Sequence, residues 1–277
     1  MPDVYRPQTV DFAAHGVRVL EGLEYGRGGD TPLLLDCFYL DTVPAPRPVI
    51  VWLHGGGFTE EHITRLSRPE KSFLTLVQHG YMLVSIDYRL AQQAAFPAQI
   101  QDAKCAVRFL KANAGRLGIN PEKIAVWGES CGGQLAGLMA VNEGIDGFEG
   151  EGGYGEYTSS IAAAVSWYGG FNIPAFTAMH KDPRFTVMYG GTFAEKRDLV
   201  VRASPITYAH KKLCPFLAMC SDTDNRVPDS QSLEFCTAAR EAGNVAEFIL
   251  VPGQGHGYFE GEQYYEQVYA FFDRYLK

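Results

Sequence analysis

The chain has 277 residues, a length that suits one large α/β domain as well as two small ones, and 46% of its residues are hydrophobic. Its 24 basic and 32 acidic residues give a formal net charge of -8, which argues against nucleic acid or an anionic membrane as the main partner. No run is apolar and long enough to span a bilayer, and residues 1–6 lack the pattern of a signal peptide. We therefore expect a cytoplasmic protein, monomeric or homo-oligomeric, that acts on a small molecule.

The six cysteines stand singly along the chain, without a Cys-x-x-Cys pair. This spacing favours neither a zinc site nor a disulfide framework, and it predicts reduced, buried thiols. The sequence also contains no His-Glu-x-x-His motif and no Gly-rich phosphate-binding fingerprint after the first predicted strand. We expect the protein to use no metal and no cofactor.

Strand and helix patterns alternate along most of the chain. Two strand patterns separated by a Gly-rich turn come first, and we expect them to pair antiparallel. Continuous apolar runs then predict strands that are covered on both faces, and apolar residues at helical spacing predict the helices between them. The predicted strands cover residues 17–25, 33–40, 49–53, 82–86, 124–127, 161–167, 215–220 and 245–251. The predicted helices cover residues 74–80, 98–110, 228–242 and 263–276, with a further one after residue 130.

This alternation predicts a single α/β domain over residues 1–277, with a mostly parallel sheet and helices on both faces. Residues 142–158 are rich in glycine and acidic side chains and predict a surface excursion. Residues 171–213 have an irregular pattern with many aromatic residues and methionines, which predicts a short lid or pocket wall. In sheets of this kind, sites form where the carboxyl ends of the strands meet.

The reactive centre is predicted at Ser130, within the sequence Gly-Glu-Ser-Cys-Gly. This serine follows the apolar run 124–127 and precedes a helix pattern of small residues, which together make the strand, sharp turn and helix of a nucleophile elbow. Gly128 and Gly132 lack Cβ atoms, so the strand and the helix can pass close to each other. The motif is weak by itself, since about 0.1 copies are expected by chance in a chain of this composition.

A histidine and a carboxylate that would activate Ser130 are predicted on later loops. His256 lies just past the last predicted strand, and histidine suits a general base because its pKa lies near neutrality. Two carboxylates follow the strand before it; we favour Asp224, four residues ahead of Pro228, as the partner of the histidine and expect Asp222 to shape the turn. The order serine, acid, histidine is that of the α/β hydrolases.

Donors for the oxyanion that forms during attack are predicted in the sequence His-Gly-Gly-Gly at residues 54–57. Consecutive glycines let backbone N–H groups converge without obstruction by side chains. We expect donors at Gly56, Gly57 and Cys131, whose N–H follows the nucleophile, and we expect His54 to brace the loop. The Cys131 thiol is an alternative nucleophile in principle, but an elbow presents its central residue, which is the serine.

A family resemblance emerges when the motifs are taken together. The motifs are His54-Gly55-Gly56-Gly57-Phe58, Asp87-Tyr88-Arg89-Leu90, Phe96-Pro97-Ala98 with Asp102, Gly128-Glu129-Ser130-Cys131-Gly132-Gly133 and Asp224-x-x-Val-Pro. They resemble those of the α/β-hydrolase esterases, in particular the hormone-sensitive-lipase-like branch and the bacterial feruloyl or acetyl-xylan esterases. The resemblance covers the chain from about residue 33 onward. It implies an α/β-hydrolase fold with Ser130, Asp224 and His256 as the catalytic triad.

The resemblance also implies a serine carboxylesterase that works through an acyl-enzyme. The chain departs from the family at Cys131, where alanine is common, and in lacking the long amino-terminal cap of the hormone-sensitive-lipase-like members. We therefore expect short-chain or bulky polar esters, such as acetyl, feruloyl or acetylated-sugar esters. The residues expected to contact the substrate are Phe58, Glu129, Tyr168, Met188 and Tyr189. Two alternatives stay open: an arylformamidase or small-peptide amidase with the same triad, and a non-catalytic ligand-binding member of the fold.

Overall fold

A computed structural model of the chain describes residues 9–142 and 144–277. Residues 1–6, which the sequence predicts to carry no signal peptide, lie outside the described residues. Eight strands form one sheet in the described part of the chain. They are β1 (Val17–Gly28), β2 (Thr31–Leu40), β3 (Arg47–Leu53), β4 (Met82–Ile86), β5 (Ile119–Glu129), β6 (Ala163–Trp167), β7 (Phe216–Ser221) and β8 (Ala246–Val251).

The sheet has the strand order β1-β2-β4-β3-β5-β6-β7-β8. Strand β2 is antiparallel to both of its neighbours, whereas every other neighbouring pair runs parallel. The predicted opening antiparallel pair and the mostly parallel sheet are therefore confirmed. Because β3 and β5 to β8 run in the same direction, the loops that follow them lie along one edge of the sheet.

Helices cover both faces of this sheet, as the sequence predicts. They are α1 (Glu70–Gln78), α2 (Ala98–Ala112), α3 (Ala114–Leu117), α4 (Cys131–Met139), α5 (Pro183–Tyr189), α6 (Phe193–Arg202), α7 (Asp229–Glu241) and α8 (Glu262–Leu276). The apolar side chains of α1 and α8 pack in one buried cluster, and those of α2, α4 and α7 pack in another on the opposite face. Short 3-10 helices cover Ala13–His15, Ile173–Ala175, Met179–Lys181 and Pro205–Tyr208.

The apolar strand runs bury their side chains alternately in these two clusters. In β3, for example, Val51 belongs to the cluster with α2 and Trp52 to the cluster with α8. Trp52, Trp127 and Trp167 stand on three neighbouring strands, and their ring centroids are separated by 5.2 and 4.8 Å in edge-to-face contacts. Such aromatic pairs add to the hydrophobic stabilisation of a core. They hold the ends of β3, β5 and β6 in register.

The largest differences from the predicted boundaries are at the start of β5 and the start of α1. Strand β5 begins at Ile119 instead of residue 124, because Ile119 pairs with Arg47 ahead of a register shift in the ladder. The polar residues between them concealed this extension from a pattern that counts apolar side chains. Helix α1 begins at Glu70, four residues before the predicted apolar pattern, and ends at Gln78.

The predicted surface excursion over residues 142–158 is attached firmly to α2. The Glu149 carboxylate accepts hydrogen bonds from Lys104 Nζ (2.7 Å) and Arg108 Nη1 (3.0 Å), and both cations are buried. Phe148 is also fully buried. Burying two cations without a counter-charge is costly, so this carboxylate pairs the segment with the helix beneath it.

All six cysteines are free and buried, as the sequence predicts. None of the helices within the described ranges combines the length and the apolar character that crossing a bilayer requires.

Candidate active site

Ser130 occupies a strained turn between β5 and α4. Its φ of +51° and ψ of -118° lie outside the regions that residues with a Cβ normally adopt. The Ser130 N–H donates to the carbonyl oxygen of Trp167 at 2.9 Å, so the neighbouring strand fixes the turn. A Cβ on Gly128 would lie 2.1 Å from the Gly132 oxygen, and one on Gly132 would lie 2.1 Å from the Leu53 oxygen. Only glycine fits at these two positions, as a nucleophile elbow requires.

The serine belongs to a chain of three hydrogen-bonded side chains. Ser130 Oγ lies 3.1 Å from His256 Nε2, and His256 Nδ1 lies 2.7 Å from Asp224 Oδ2. The carboxylate can only accept, so Nδ1 carries the proton and Nε2 is left to accept from the serine hydroxyl. The Asp224 side chain is 0% exposed and that of His256 is 9% exposed, which shields both hydrogen bonds from water.

The two candidate acids have different positions. Asp224 Oδ1 accepts hydrogen bonds from the N–H groups of Arg226 (2.8 Å) and Val227 (2.9 Å), which leaves Oδ2 for the histidine. Asp222 instead accepts from the N–H of Gly253 at 2.7 Å and is exposed. The structure therefore places Asp224 against His256, and Asp222 at the start of the histidine loop.

Hydroxyl side chains at the end of β7 hold the histidine loop in place. Ser221 Oγ accepts from the N–H groups of Gln254 (3.0 Å) and Gly255 (3.1 Å), and Thr223 Oγ1 accepts from Gly255 N–H at 3.2 Å. Sequence reasoning did not identify Ser221 or Thr223. The sequence feature that could have indicated these two residues is that both flank Asp222 immediately after a predicted strand.

The glycine-rich loop after β3 faces the same cavity as Ser130. Gly56, Gly57 and Cys131 all line this cavity, and the φ angles of the two glycines are +98° and +57°. Their conformations favour glycine because a Cβ would be strained there. Of the four non-glycine residues with positive φ in the described ranges, Phe58, Ser130 and Tyr168 line the cavity. Strained backbone is thus concentrated around the serine, as it often is at functional sites.

The Cys131 thiol is a poor competitor for the serine. Burial raises its pKa to about 11, so the thiol remains protonated at neutral pH. Its sulfur accepts a hydrogen bond from the N–H of Phe58 at 3.3 Å, next to the glycine loop. The side chain is therefore packed between the loop and the elbow.

His54 braces the base of the glycine-rich loop. Its Nδ1 lies 2.8 Å from the Gly55 oxygen, and its ring stacks on Tyr88 with 4.2 Å between centroids. Burial lowers the pKa of His54 to about 4, so the ring is neutral at physiological pH. The Tyr88 hydroxyl donates to the His54 carbonyl oxygen at 2.6 Å, which fixes the end of β3.

The cavity has a volume of about 760 Å³, and its lining has an apolar part, here called the wall, and a more exposed polar part, here called the mouth. Residues 171–213 supply much of the wall, namely Ile173, Phe176, Ala178, Met179, Phe185 and Met188. The mouth carries Glu60, His62, Asp182, Arg184, Asn225 and Arg226. Arg184 pairs with Asp182 and approaches Glu60 at 3.5 Å, so part of the charge at the mouth is balanced. The cavity can thus accept a ligand with one apolar and one polar part.

Four of the five residues expected to contact the substrate line the cavity: Phe58, Glu129, Tyr168 and Met188. Tyr189 does not, because its ring packs in the core with those of Phe185 and Phe96, at 4.6 and 6.2 Å between centroids. The buried Gln134 lines the cavity instead. The signal for this residue was its position one helical turn after Ser130.

The strand order, the elbow and the serine–histidine–aspartate chain define an α/β hydrolase of the serine type. The sequence model of the BD-FAE family matches residues 35–238, and the chain belongs to this family. The resemblance to the α/β-hydrolase esterases is therefore confirmed. The match includes Ser130 and Asp224, and His256 lies beyond its end.

Similar proteins include named esterases. The chain is 28% identical over 243 residues to Esterase LipQ of Mycobacterium tuberculosis, a match that covers 85% of this chain and 56% of LipQ. The chain thus spans little more than half the length of that curated relative. Among solved structures, a bifunctional GH43-CE protein of Bacteroides eggerthii is 28% identical with a TM-score of 0.85, over 94% of this chain and 38% of that one. A truncated carbohydrate esterase from gut microbiota is 27% identical with a TM-score of 0.83, over 93% and 95% of the two chains.

Proposed function

We propose that this protein is a serine carboxylesterase that hydrolyses short-chain or bulky polar esters, such as acetyl, feruloyl or acetylated-sugar esters, through an acyl-enzyme. The observation that carries the proposal is the hydrogen-bonded chain from Ser130 Oγ through His256 to Asp224, at a cavity shared with a glycine-rich loop. A serine hydroxyl becomes a useful nucleophile when a base accepts its proton during attack.

In the first half of the reaction, Ser130 Oγ attacks the ester carbonyl while His256 Nε2 takes the hydroxyl proton. The resulting oxyanion accepts hydrogen bonds from the backbone N–H groups of Gly56, Gly57 and Cys131. The tetrahedral intermediate then collapses, and the protonated histidine gives its proton to the leaving alcohol oxygen. An acyl group remains bound to the serine.

In the second half, water attacks the acyl carbonyl and gives a proton to His256 Nε2. Collapse of this intermediate breaks the bond to Ser130 Oγ, and the histidine returns the proton to the serine. Asp224 keeps the imidazole oriented and stabilises its positive charge in both halves. The products are a carboxylic acid and the free enzyme.

The cavity supports a substrate with an apolar and a polar part. Phe176 and Phe185 lie on its apolar wall, while Arg184 and Arg226 lie at its mouth. A sugar hydroxyl or the phenol of a feruloyl group can form hydrogen bonds with such polar groups. The similar structure from gut microbiota is named a carbohydrate esterase, which agrees with an ester on a sugar.

The test is a panel of substrates assayed with the wild-type protein and Ser130→Ala. The panel contains acetyl, butyryl and decanoyl 4-nitrophenyl esters, methyl ferulate, acetylated xylose, formylkynurenine and an aminoacyl anilide. We expect hydrolysis of the short or polar esters, and a loss of at least about 10⁴-fold in kcat in Ser130→Ala. Preference for formylkynurenine or the anilide would favour amide hydrolysis. Absence of turnover on every member would favour a ligand-binding protein.

A further inference from the structure

Glu129 is a buried carboxylate in the wall of the cavity, directly before the serine. It is 3% exposed, and it belongs to β5. Within the described part of the chain, no basic side chain forms an ion pair with it; its hydrogen-bond donors are neutral. A buried carboxylate without a cation is unfavourable unless other interactions compensate for it. Its position beside the nucleophile therefore indicates a role in the reaction.

The two oxygens of this carboxylate contact two different parts of the site. Oε1 accepts a hydrogen bond from the N–H of Gly55 at 3.2 Å, and Oε2 accepts one from the hydroxyl of Tyr168 at 2.8 Å. Gly55 begins the glycine-rich loop that contains Gly56 and Gly57. The carboxylate thus fixes the base of the loop that lines the cavity beside the serine.

Tyr168 connects the same carboxylate to the histidine. Its ring centroid lies 4.6 Å from that of His256, at an interplanar angle of 57°. Its φ of +41° is strained, and its N–H donates to the Met219 oxygen at 2.7 Å. The backbone of Tyr168 is thus held by the neighbouring strand, and its phenol is held by the hydrogen bond to Glu129.

We propose that Glu129 is a positioning residue, whose carboxylate holds the oxyanion loop and the histidine base in a common arrangement around Ser130. The inference rests on the proposed function, since it assigns roles within the same reaction. Glu129 does not transfer a proton or touch the acyl group in this account. It acts through Gly55 on one side and through Tyr168 on the other.

The protonation state of Glu129 predicts a pH dependence of kcat/KM that distinguishes a positioning role from a purely structural one. The titratable groups that face it are Tyr168 after β6, Tyr258 ahead of α8, Tyr265 on α8 and Cys131 on α4. All four are neutral at physiological pH, and burial raises the pKa of Glu129 to about 7. Both of its partners donate to the ionised form, whereas protonation makes one carboxyl oxygen a donor and requires the Tyr168 hydroxyl to reverse its role or the contact to be lost.

At acid pH, full activity should therefore require an ionised Glu129 as well as a neutral imidazole at His256. Over the range in which Glu129 titrates, log(kcat/KM) would then rise with pH at a slope above about one. Without Glu129, only the histidine deprotonation remains and the slope should approach about one. A residue that merely stabilises the fold would leave this slope unchanged.

The experiment compares Glu129→Gln with the wild-type protein on 4-nitrophenyl acetate, from about pH 5 to about pH 9. We expect kcat at pH 8 to fall at least about tenfold while KM changes less than about twofold. The acid slope should fall from above about one to about one. Glu122→Gln is the matched control, because it makes the same change on the same strand at an exposed carboxylate outside the cavity. It should leave both the slope and kcat unchanged.

Tyr168→Phe is the second variant, and it tests the positioning role of Glu129 if Glu129→Gln does not fold. It removes the hydroxyl and retains the ring against His256, so kcat should fall about three- to tenfold with little change in KM. The double variant should be no slower than Glu129→Gln, because both changes break the same connection.

Unchanged kcat in Tyr168→Phe, or an acid slope that stays at its wild-type value in Glu129→Gln, would overturn the inference. Either result would leave the Ser130 assignment intact, since that depends on Ser130→Ala.

Discussion

On the sheet side of the cavity, Ser130 and the glycine-rich loop are attached to the ends of β5 and β3, whereas the opposite side consists of the short helices of residues 171–213. The sheet side is held by backbone contacts, such as the hydrogen bond from Ser130 N–H to the Trp167 oxygen. There, a single Cβ at Gly128 or Gly132 would collide with backbone atoms. Close-packed backbone of this kind cannot adjust to a substitution.

The opposite side depends on side chains and on local caps. Helix α5 has seven residues, and its first turn is capped by Asp182, whose Oδ1 accepts from Arg184 N–H at 2.9 Å. Helix α6 begins with a capping box formed by Thr192 and Glu195. Elements this short derive little stability from their own hydrogen bonds and depend on packing.

This difference in structure indicates that the two sides of the cavity have different roles in the reaction. The sheet side sets the position of the reacting atoms, because strand ends and the elbow backbone determine it. The side formed by residues 171–213 sets the shape of the cavity, because its contribution consists of side chains such as Phe176 and Met179. Substitutions on the first side should affect kcat, and substitutions on the second should affect KM and substrate preference.

The largest expected effect is on the acid of the triad. Asp224→Asn should lower kcat by about 10³- to 10⁴-fold, because the amide no longer fixes the histidine tautomer or stabilises the imidazolium. Asp222→Asn is the control, since Asp222 contacts only the start of the histidine loop, at Gly253 N–H. It should cost less than about tenfold. Assays on 4-nitrophenyl acetate with matched melting temperatures compare the two, and the reverse ranking would reassign the acid.

The smallest expected effect is on the apolar wall. Phe176→Ala should raise KM for the butyryl ester about three- to tenfold, with a smaller change for the acetyl ester and little change in kcat. The reason is that Phe176 lines the cavity and belongs to the side formed by residues 171–213. Leu233→Ala on α7 serves as the control, because Leu233 is an exposed apolar residue away from the cavity. A large fall in kcat for Phe176→Ala would show that the two sides of the cavity are not separable.

The sequence predicts the sheet side well because its signals are local. The elbow around Ser130 is a contiguous motif, and glycine at 128 and 132 follows from the close approach of strand and helix. The strands follow from apolar runs that are buried on both faces. His256 and Asp224 follow from their places after strands, since parallel strands bring such loops to one edge.

The features of the site that the sequence does not predict depend on contacts between distant segments of the chain. The partners of Glu129 lie 74 and 39 residues away, at Gly55 and Tyr168, and no local pattern indicates this pairing. Tyr189 is expected from the sequence to contact the substrate, but its ring packs in the core against that of Phe96, which lies 93 positions earlier in the chain. The path of residues 171–213 was equally unpredictable, because short helices with mixed faces have no clear periodicity.

The most direct test of the account is covalent labelling by a fluorophosphonate, followed by peptide mass spectrometry. We predict one label per chain on Ser130, loss of esterase activity in proportion to labelling, and no labelling of Ser130→Ala. Labelling at Cys131 or another residue, or activity that survives complete labelling of Ser130, would contradict the account.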